Sequence, residues 1–348
     1  MLPLSPESGS YFAAHDTLRS TGPMKQAILF AGSAKLLTSI DIDRLAAALV
    51  KPSNMNEAAL EHFTALNEQC WVITNTSELA TIDQILPTYL PQLAAIARQS
   101  SKNQRAAAAL TAQGYLLAGL VALDQLDYPN MERYSQLAVE YSKTAGDYNL
   151  QVAAFKQQAT MYLIEKEPYK ALQTYQLTLP FINRISPLLR SRIYQGLANA
   201  AARCDQNTEA LRYLGLAHET FPSDWEKDPS FLYADSGLSV LHMYDGLTYL
   251  DLDQPEKAWQ AFDNVDGLNP KITIGETTQL EFMNLQAKTA VAMRNQELTR
   301  NLIEIAVAKA DALNCKWGRT EAYEIYQQAR LIWSNESQIK TLGQLFYK

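Results

Sequence analysis

Residues 190–222 read RSRIYQGLANAAARCDQNTEALRYLGLAHETFP, and this stretch decides which fold the sequence predicts. It contains two amphipathic helical patterns joined by a polar turn at 205–207. Alanines occur where two helices must approach closely, and larger residues such as Tyr194 and Leu214 occur where space must be filled. Pro222 ends the second pattern because proline cannot continue a helix. The stretch therefore predicts two helices that pack against each other.

The order and spacing of these residues resemble the tetratricopeptide repeat (TPR), a helix–turn–helix unit of about 34 residues. One unit cannot bury its own apolar face, so the resemblance predicts neighbouring units. Aligning the chain on the mid-repeat alanine gives units that start at residues 112, 152, 191, 239 and 280. Successive starts are 40, 39, 48 and 41 residues apart, and the extra residues lie between units, as at 223–229. We therefore expect TPR-like units with longer helices rather than consensus repeats.

The composition of the 348-residue chain favours helix throughout, because Ala and Leu dominate and Gly and Pro number only 14 each. We predict an all-α fold, a right-handed TPR-like α-solenoid of antiparallel helix pairs. The expected divisions are an irregular leader (1–22), an N-terminal helical cap (23–103), the TPR-like repeats (104–315) and C-terminal capping helices (316–348). Pro87 and Pro91 should kink or split a helix within the cap.

Charge and cysteine usage exclude several classes of protein. A net charge of −7 argues against a broad nucleic-acid-binding surface. No stretch reaches about 18 uninterrupted apolar residues, so we expect no membrane span and no membrane partner. The three cysteines (Cys70, Cys204 and Cys315) form no CxxC pair and predict free buried thiols in a reducing cytoplasm. The N-terminal sequence also lacks the basic-then-apolar order of a secretory signal.

Catalytic and metal-binding patterns are missing from the sequence. The four histidines are scattered, and the chain contains neither HExxH nor GxSxG nor a phosphate-cradling glycine loop. His242 occupies a packing position of its unit, and Asp251 with Asp253 lies in a turn, where acidic residues cap helices. We therefore expect no enzyme activity, no bound metal and no cofactor.

Three segments carry a further resemblance: SPLLRSRIYQGLANAAA (186–202), QNTEALRYLGLAHETFP (206–222) and DPSFLYAD (228–235). They are similar to the TPR-like sensor regions of bacterial helix-turn-helix (XRE-type) transcriptional regulators, and the resemblance covers about 40 to 335. Those regulators also carry an N-terminal DNA-binding domain, whereas fewer than 40 residues precede the resembling region here. The resemblance implies a sensor region without direct nucleic-acid contact, whose ligand is an intracellular peptide or partner protein.

The first helix of each unit lines the concave face of a TPR solenoid, and its positions 2, 5, 9 and 12 point into the groove. Asn and Gln at such positions can both donate to and accept from peptide amides, and Arg can bind a carboxylate bidentately. The candidate ligand-binding residues are Lys156, Thr160, Arg192, Gln195, Asn199, Met243, Asn284 and Lys288. The alternative interpretation of these residues is a solvated helix face with incidental charges.

The predicted function is non-catalytic recognition of a peptide or partner protein in the concave groove, in a regulatory or sensor role. Binding would change the curvature of the stack, since each unit contacts only its neighbours. One alternative is a scaffold or dimerisation module without a small ligand, which includes a possible homodimer. The third is an enzyme built on a helical scaffold.

Overall fold

The computed structural model of the chain describes residues 57–74, 79–234, 237–266 and 275–347. Every regular element within these ranges is a helix, and we number the α-helices α1 to α15. Their bounds are α1 Glu57–Ile73, α2 Leu79–Ala97, α3 Gln104–Asp124, α4 Tyr128–Ala145, α5 Tyr148–Ile164, α6 Pro168–Gln176, α7 Pro187–Ala202, α8 Asn207–Thr220, α9 Phe231–Ala234, α10 Leu238–Asp251, α11 Pro255–Asp266, α12 Glu276–Ala292, α13 Gln296–Leu313, α14 Lys316–Ile332 and α15 Ser337–Leu342. The predicted leader (1–22) lies outside the described residues.

The helices pack in pairs that correspond to the five units found in the sequence. The pairs are α3–α4, α5–α6, α7–α8, α10–α11 and α12–α13. The first helix of each pair also contacts the first helix of the next pair, and α12 contacts α14 in the same way. This arrangement confirms the all-α TPR-like solenoid. We refer to the side of the stack formed by α3, α5, α7, α10 and α12 as the inner face.

The five turns between paired helices share one backbone conformation. Each contains a non-glycine residue with φ between 58° and 62°. These residues are Leu126, Lys166, Asp205, Asp253 and Arg294. The N–H of the following residue donates to a carbonyl five positions back, as in Gln206 N to Ala201 O at 2.9 Å, which is typical of a helix end with a left-handed residue. The turn residues recur at the same spacings as the unit starts, so backbone geometry independently supports the repeat register.

The stretch at 190–222 forms the third unit, α7–α8, with the predicted packing. Ser191 Oγ, near the start of α7, donates to Ala217 O, near the end of α8, at 2.7 Å, so the two helices are antiparallel. The rings of Tyr194 and Tyr213 stack with centroids 6.1 Å apart. The alanines and Leu197 at the helix–helix contact are fully buried.

Two helices near the N-terminal end, α2 and α3, have unusual sequences: α2 contains two prolines, and α3 is long and apolar. The helix α2 continues through Pro87 and Pro91, so the split that these prolines could cause does not occur. The helix α3 is long and apolar enough to cross a membrane by length and composition, but 72% of its apolar window is buried inside the protein. Such burial is typical of the core helix of a packed domain.

The stack curves until its C-terminal end meets its early units. Helix α14 contacts α3, and Lys166 Nζ, in the turn after α5, lies 3.0 Å from Glu324 Oε1 of α14. Burial raises the pKa of Asp124 at the end of α3, and Cys315 and Lys316 at the start of α14 partly offset this shift. The C-terminal helices therefore lie against the first and second units. All three cysteines are free and buried, as predicted.

Candidate functional site

The eight predicted ligand-binding residues lie on the inner helices α5, α7, α10 and α12, but most are buried. The exposed fraction is 0% for Gln195 and Asn199 and 1% for Arg192 and Asn284. Met243 and Lys156 are also buried. This differs from the open groove expected from sequence, because the tight curvature brings neighbouring first helices against these side chains. Their role in binding stays a prediction.

Arg192 joins α7 to α10. Its Nη2 donates to Tyr244 Oη at 2.6 Å, and its guanidinium carbon lies 4.0 Å from the centroid of the Tyr244 ring. Such a cation over an aromatic face is stabilising, particularly when it is desolvated. On the same helix, Gln195 Nε2 donates to Ser191 Oγ at 3.3 Å. Both side chains thus have structural contacts on the inner face.

Asp251, at the end of α10, is the centre of a polar network that spans four helices. Its Oδ2 accepts from Asn199 Nδ2 at 2.6 Å and from Arg203 Nε at 2.9 Å. Lys288 Nζ lies 3.8 Å from Oδ1, and Arg203 Nη1 donates to Leu163 O of α5 at 3.0 Å. We refer to these residues with Asn284 and Glu321 as the inner network.

The inner network continues from α12 to α14. Asn284 Nδ2 donates to Gly318 O at 3.0 Å and to Glu321 Oε2 at 3.1 Å. Desolvation by burial raises the pKa of Glu321 to about 7, although the Asn284 hydrogen bond and the nearby Lys288 and Arg203 oppose this shift. Glu321 can therefore change its protonation near neutral pH.

Sequence reasoning missed Arg203, Asp251 and Glu321 as members of this network. Arg203 and Asp251 occupy the same position, 13, of their units. Arg203 follows Asn199 by four residues and so extends the same helix face. That spacing could have identified the pair, whereas nothing local places Glu321 beside Asn284.

Three buried amide oxygens on the inner helices accept no hydrogen bond from any of the described residues. They belong to Gln195, Asn199 and Asn284. The amide nitrogens of the same side chains donate to protein groups, which fixes the direction of each oxygen. Buried polar atoms are normally satisfied, so each of these three oxygens can accept one further hydrogen bond from an N–H donor.

Lys156 binds a carbonyl of its own chain on the inner face. Its Nζ donates at 3.3 Å to Ala234 O, in the connection between the third and fourth units. Thr160, one turn further along α5, donates to Lys156 O at 3.0 Å and lies 3.3 Å from Tyr175 Oη of α6. Thr160 therefore contributes to packing within its own unit.

Met243 belongs to the apolar core rather than to a ligand-facing row. It packs in a buried cluster with Phe262 and Phe282, which joins α10, α11 and α12. The ring centroids of the two phenylalanines are 5.5 Å apart in an edge-to-face arrangement. Met243 is buried because the space between successive first helices is narrow, and its unbranched side chain fills that space well.

One titratable cluster lies between α8 and α10. His218 Nε2 is 2.8 Å from Asp245 Oδ2 and His242 Nδ1 is 3.3 Å from the same oxygen. The hydrogen bond to Asp245 raises the pKa of His218. His242 is partly buried. Among the residues that the structure describes, no group of three or more His, Cys, Asp and Glu side chains has metal-binding geometry.

The comparisons with known proteins add only a distant likeness. No protein-family model and no curated protein matches the chain. Among solved structures, the chain is similar to one in the crystal structure of the APC/C hetero-tetramer Cut9–Hcn1, with a TM-score of 0.42 and 13% sequence identity. The match covers 89% of this chain and 64% of that chain. The fold assignment therefore depends on the helix pairs and turns of this chain itself.

Proposed function

We propose that the chain is a non-catalytic recognition module that binds a peptide or a segment of a partner protein along its inner face. The observation that supports this most directly is that the buried amide oxygens of Gln195, Asn199 and Asn284 accept no hydrogen bond among the described residues. Leaving a buried polar group unsatisfied costs about 1–3 kcal/mol. The main-chain N–H groups of an extended peptide would satisfy such acceptors.

Access to these oxygens requires neighbouring units to separate, because Gln195 and Asn199 are fully buried. Solenoid units contact mainly their neighbours, so small rotations between units can open the inner face without unfolding a pair. A ligand that binds the open form shifts the population towards it. This mechanism couples binding to the curvature of the stack.

The resemblance of residues 186–235 to XRE-type sensor regions supports a regulatory role in this proposal. A cytoplasmic peptide or protein would be the signal, and the change of curvature would be the response. Regulation of transcription would then require a DNA-binding partner or domain, since the resemblance assigns no nucleic-acid contact to these residues.

A second candidate function is a scaffold or dimerisation module. Leu331 and Tyr347, near the C-terminal end of the stack, are 84% and 90% exposed. Exposed large apolar residues at the end of a repeat array can pair with a second copy. A molar mass that rises with concentration in light scattering, and returns to the monomer value in Leu331→Lys, would favour this function.

Groove recognition can be tested with a random-peptide display library selected on the immobilised full chain. Selected peptides should bind with affinities measurable by fluorescence anisotropy, and Gln195→Met should weaken them about tenfold or more. This substitution removes the amide oxygen but leaves the Asp251 contacts intact. Gln173→Met, on an exposed position of α6, is the matched control and should leave affinity unchanged. Equal affinities for both variants would refute the role of Gln195.

A further inference from the structure

The connection between the third and fourth units is long and has a structure of its own. It accounts for the spacing of 48 residues between the starts at 191 and 239, where the other spacings are 39 to 41. We refer to residues Phe221–Ala234 as the inter-unit segment. It contains a 3-10 helix, Trp225–Lys227, and the short helix α9, and the rings of Trp225 and Phe231 pack with centroids 5.5 Å apart.

The C-terminal part of the inter-unit segment is seated on the inner side of the stack. Helix α9 contacts the first helices α5 and α7 of the second and third units, and also α1, which precedes the first unit. Tyr233 and Ala234 are buried in the same apolar cluster as the residues of those helices. Lys156 Nζ of α5 donates to Ala234 O at 3.3 Å. The segment therefore occupies a place on the inner face.

The carboxylate of Asp228 binds the inter-unit segment to the first turn of α7. Asp228 Oδ2 accepts from Leu188 N at 3.0 Å, and Oδ1 accepts from Ser230 N at 2.8 Å and Ser230 Oγ at 2.7 Å. Ser230 Oγ also lies 2.7 Å from Ser186 Oγ. Burial raises the pKa of Asp228, but these hydrogen bonds more than offset it, so the pKa lies below its usual value.

The contacts that hold the segment do not depend on its being part of this chain. Lys156 binds a main-chain oxygen, which every peptide offers. The cap on α7 needs one carboxylate and one hydroxyl near it, and the buried site of Tyr233 and Ala234 needs an aromatic side chain followed by a small one. An acidic side chain at a helix N-terminus is favourable in any peptide that can reach it.

We refer to the surface that residues Asp228–Ala234 cover, which includes Lys156 and the first turn of α7, as the seat. We infer that the seat is an interaction surface for a partner segment of the same chemistry, which displaces residues Asp228–Ala234. The partner segment carries an acidic residue, a hydroxyl residue close to it, and an aromatic residue followed by a small one a few residues later. The inference depends on the proposed function, since it names the partner of the inner face. In the free protein the inter-unit segment occupies the seat and competes with the partner segment for it.

The test uses the full chain in which residues 222–234 are replaced by a Gly/Ser linker of the same length. The probe is a fluorescent synthetic peptide with the sequence of residues 222–237, PSDWEKDPSFLYADSG. The linker variant should bind the probe, and the unaltered chain should bind it about 100-fold more weakly, because a tethered competitor has an effective concentration in the millimolar range. A probe that carries Asp228→Asn and Tyr233→Ser should not bind, and adding Lys156→Met to the linker variant should weaken binding.

A linker variant with native helicity that does not bind the probe, or that binds it no better than the unaltered chain does, would overturn the inference. If the linker variant does not fold, hydrogen exchange on the full-length chain with Asp228→Asn and Ser230→Ala decides instead. We expect faster exchange in residues 221–234 while α7 and α8 stay protected. Simultaneous opening of the segment and both helices would mean that the segment is a fixed part of the core, which contradicts the inference.

The two proposals fail in different ways. Library peptides that bind the unaltered chain, combined with no binding of the probe to the folded linker variant, would refute the seat but leave groove recognition standing. Binding of the probe to the linker variant with no selected library peptide would support the seat and refute peptide recognition at the buried amide oxygens of the unaltered chain.

Discussion

Gly196 and Gly215 lie on the two helices of one unit, and replacing each by alanine should change stability in opposite directions. Gly196 is in α7, where an added Cβ would overlap ring atoms of Tyr175 and lie 2.5 Å from its hydroxyl oxygen. Tyr175 is fully buried, so its ring has little room to move. Gly215 is exposed on α8, and an added Cβ there meets no atom within 4 Å.

The magnitudes follow from two terms. Overpacking a core costs about 1–3 kcal/mol, and overlap with a buried ring lies at the upper end of that range. Alanine is a better helix former than glycine by about 1 kcal/mol, a gain that applies at both positions. The free energy of unfolding should therefore fall by about 2 kcal/mol in Gly196→Ala and rise by up to about 1 kcal/mol in Gly215→Ala.

Urea unfolding measures both variants. Helical circular dichroism and intrinsic fluorescence should be followed together, because a repeat array need not unfold in one step. Hydrogen exchange should locate the loss of protection in Gly196→Ala to α6 and α7. A neutral or stabilising Gly196→Ala would refute the close approach of these helices, and a destabilising Gly215→Ala would show that this face of α8 is covered.

Three further predictions concern single residues. Arg294→Gly should stabilise the chain by up to about 1 kcal/mol in urea, because glycine adopts the left-handed turn conformation without strain, whereas Arg294→Ala should give no such gain. The hydrogen bond to Asp245 raises the pKa of His218. The contact therefore stabilises the fold fully below about pH 6.5, and this stabilisation is lost as pH rises through the pKa of His218 in the folded protein. Thermal unfolding at several pH values should show a decline in Tm over this range, and His218→Gln should reduce that decline. The pKa of Glu321 is raised from 4.5 to about 7 by burial, so stability should fall between those values as pH rises, and Glu321→Gln should remove that part of the slope and raise Tm at alkaline pH.

The fold could be predicted from the sequence because its main contacts are local. The small residues at the mid-repeat position, Ala171, Ala210 and Ala258, are fully buried where paired helices meet. The polar turn at Asp205 has the left-handed conformation that recurs in every unit. Helical periodicity and residue size directly encode these contacts.

The environment of the candidate site could not be predicted in the same way. Whether Arg192 and Asn199 face an open groove or another helix depends on how tightly the stack curves. That curvature involves contacts between α14 and α3, which are remote in sequence. A combined Arg192→Ala and Asn199→Ala variant would break the bonds to Tyr244 and Asp251, so it would change stability as well as binding.

The contact between the two ends of the stack has a consequence for how the protein responds to its ionic surroundings. Lys166 and Glu324 are largely exposed, at 71% and 45% of their side-chain surface. An exposed ion pair contributes little, about 0–1 kcal/mol, and salt screens it. The ion pair is therefore the salt-sensitive part of a closure that the contact between α3 and α14 also holds. The radius of gyration in X-ray scattering should grow slightly with ionic strength before any helix melts.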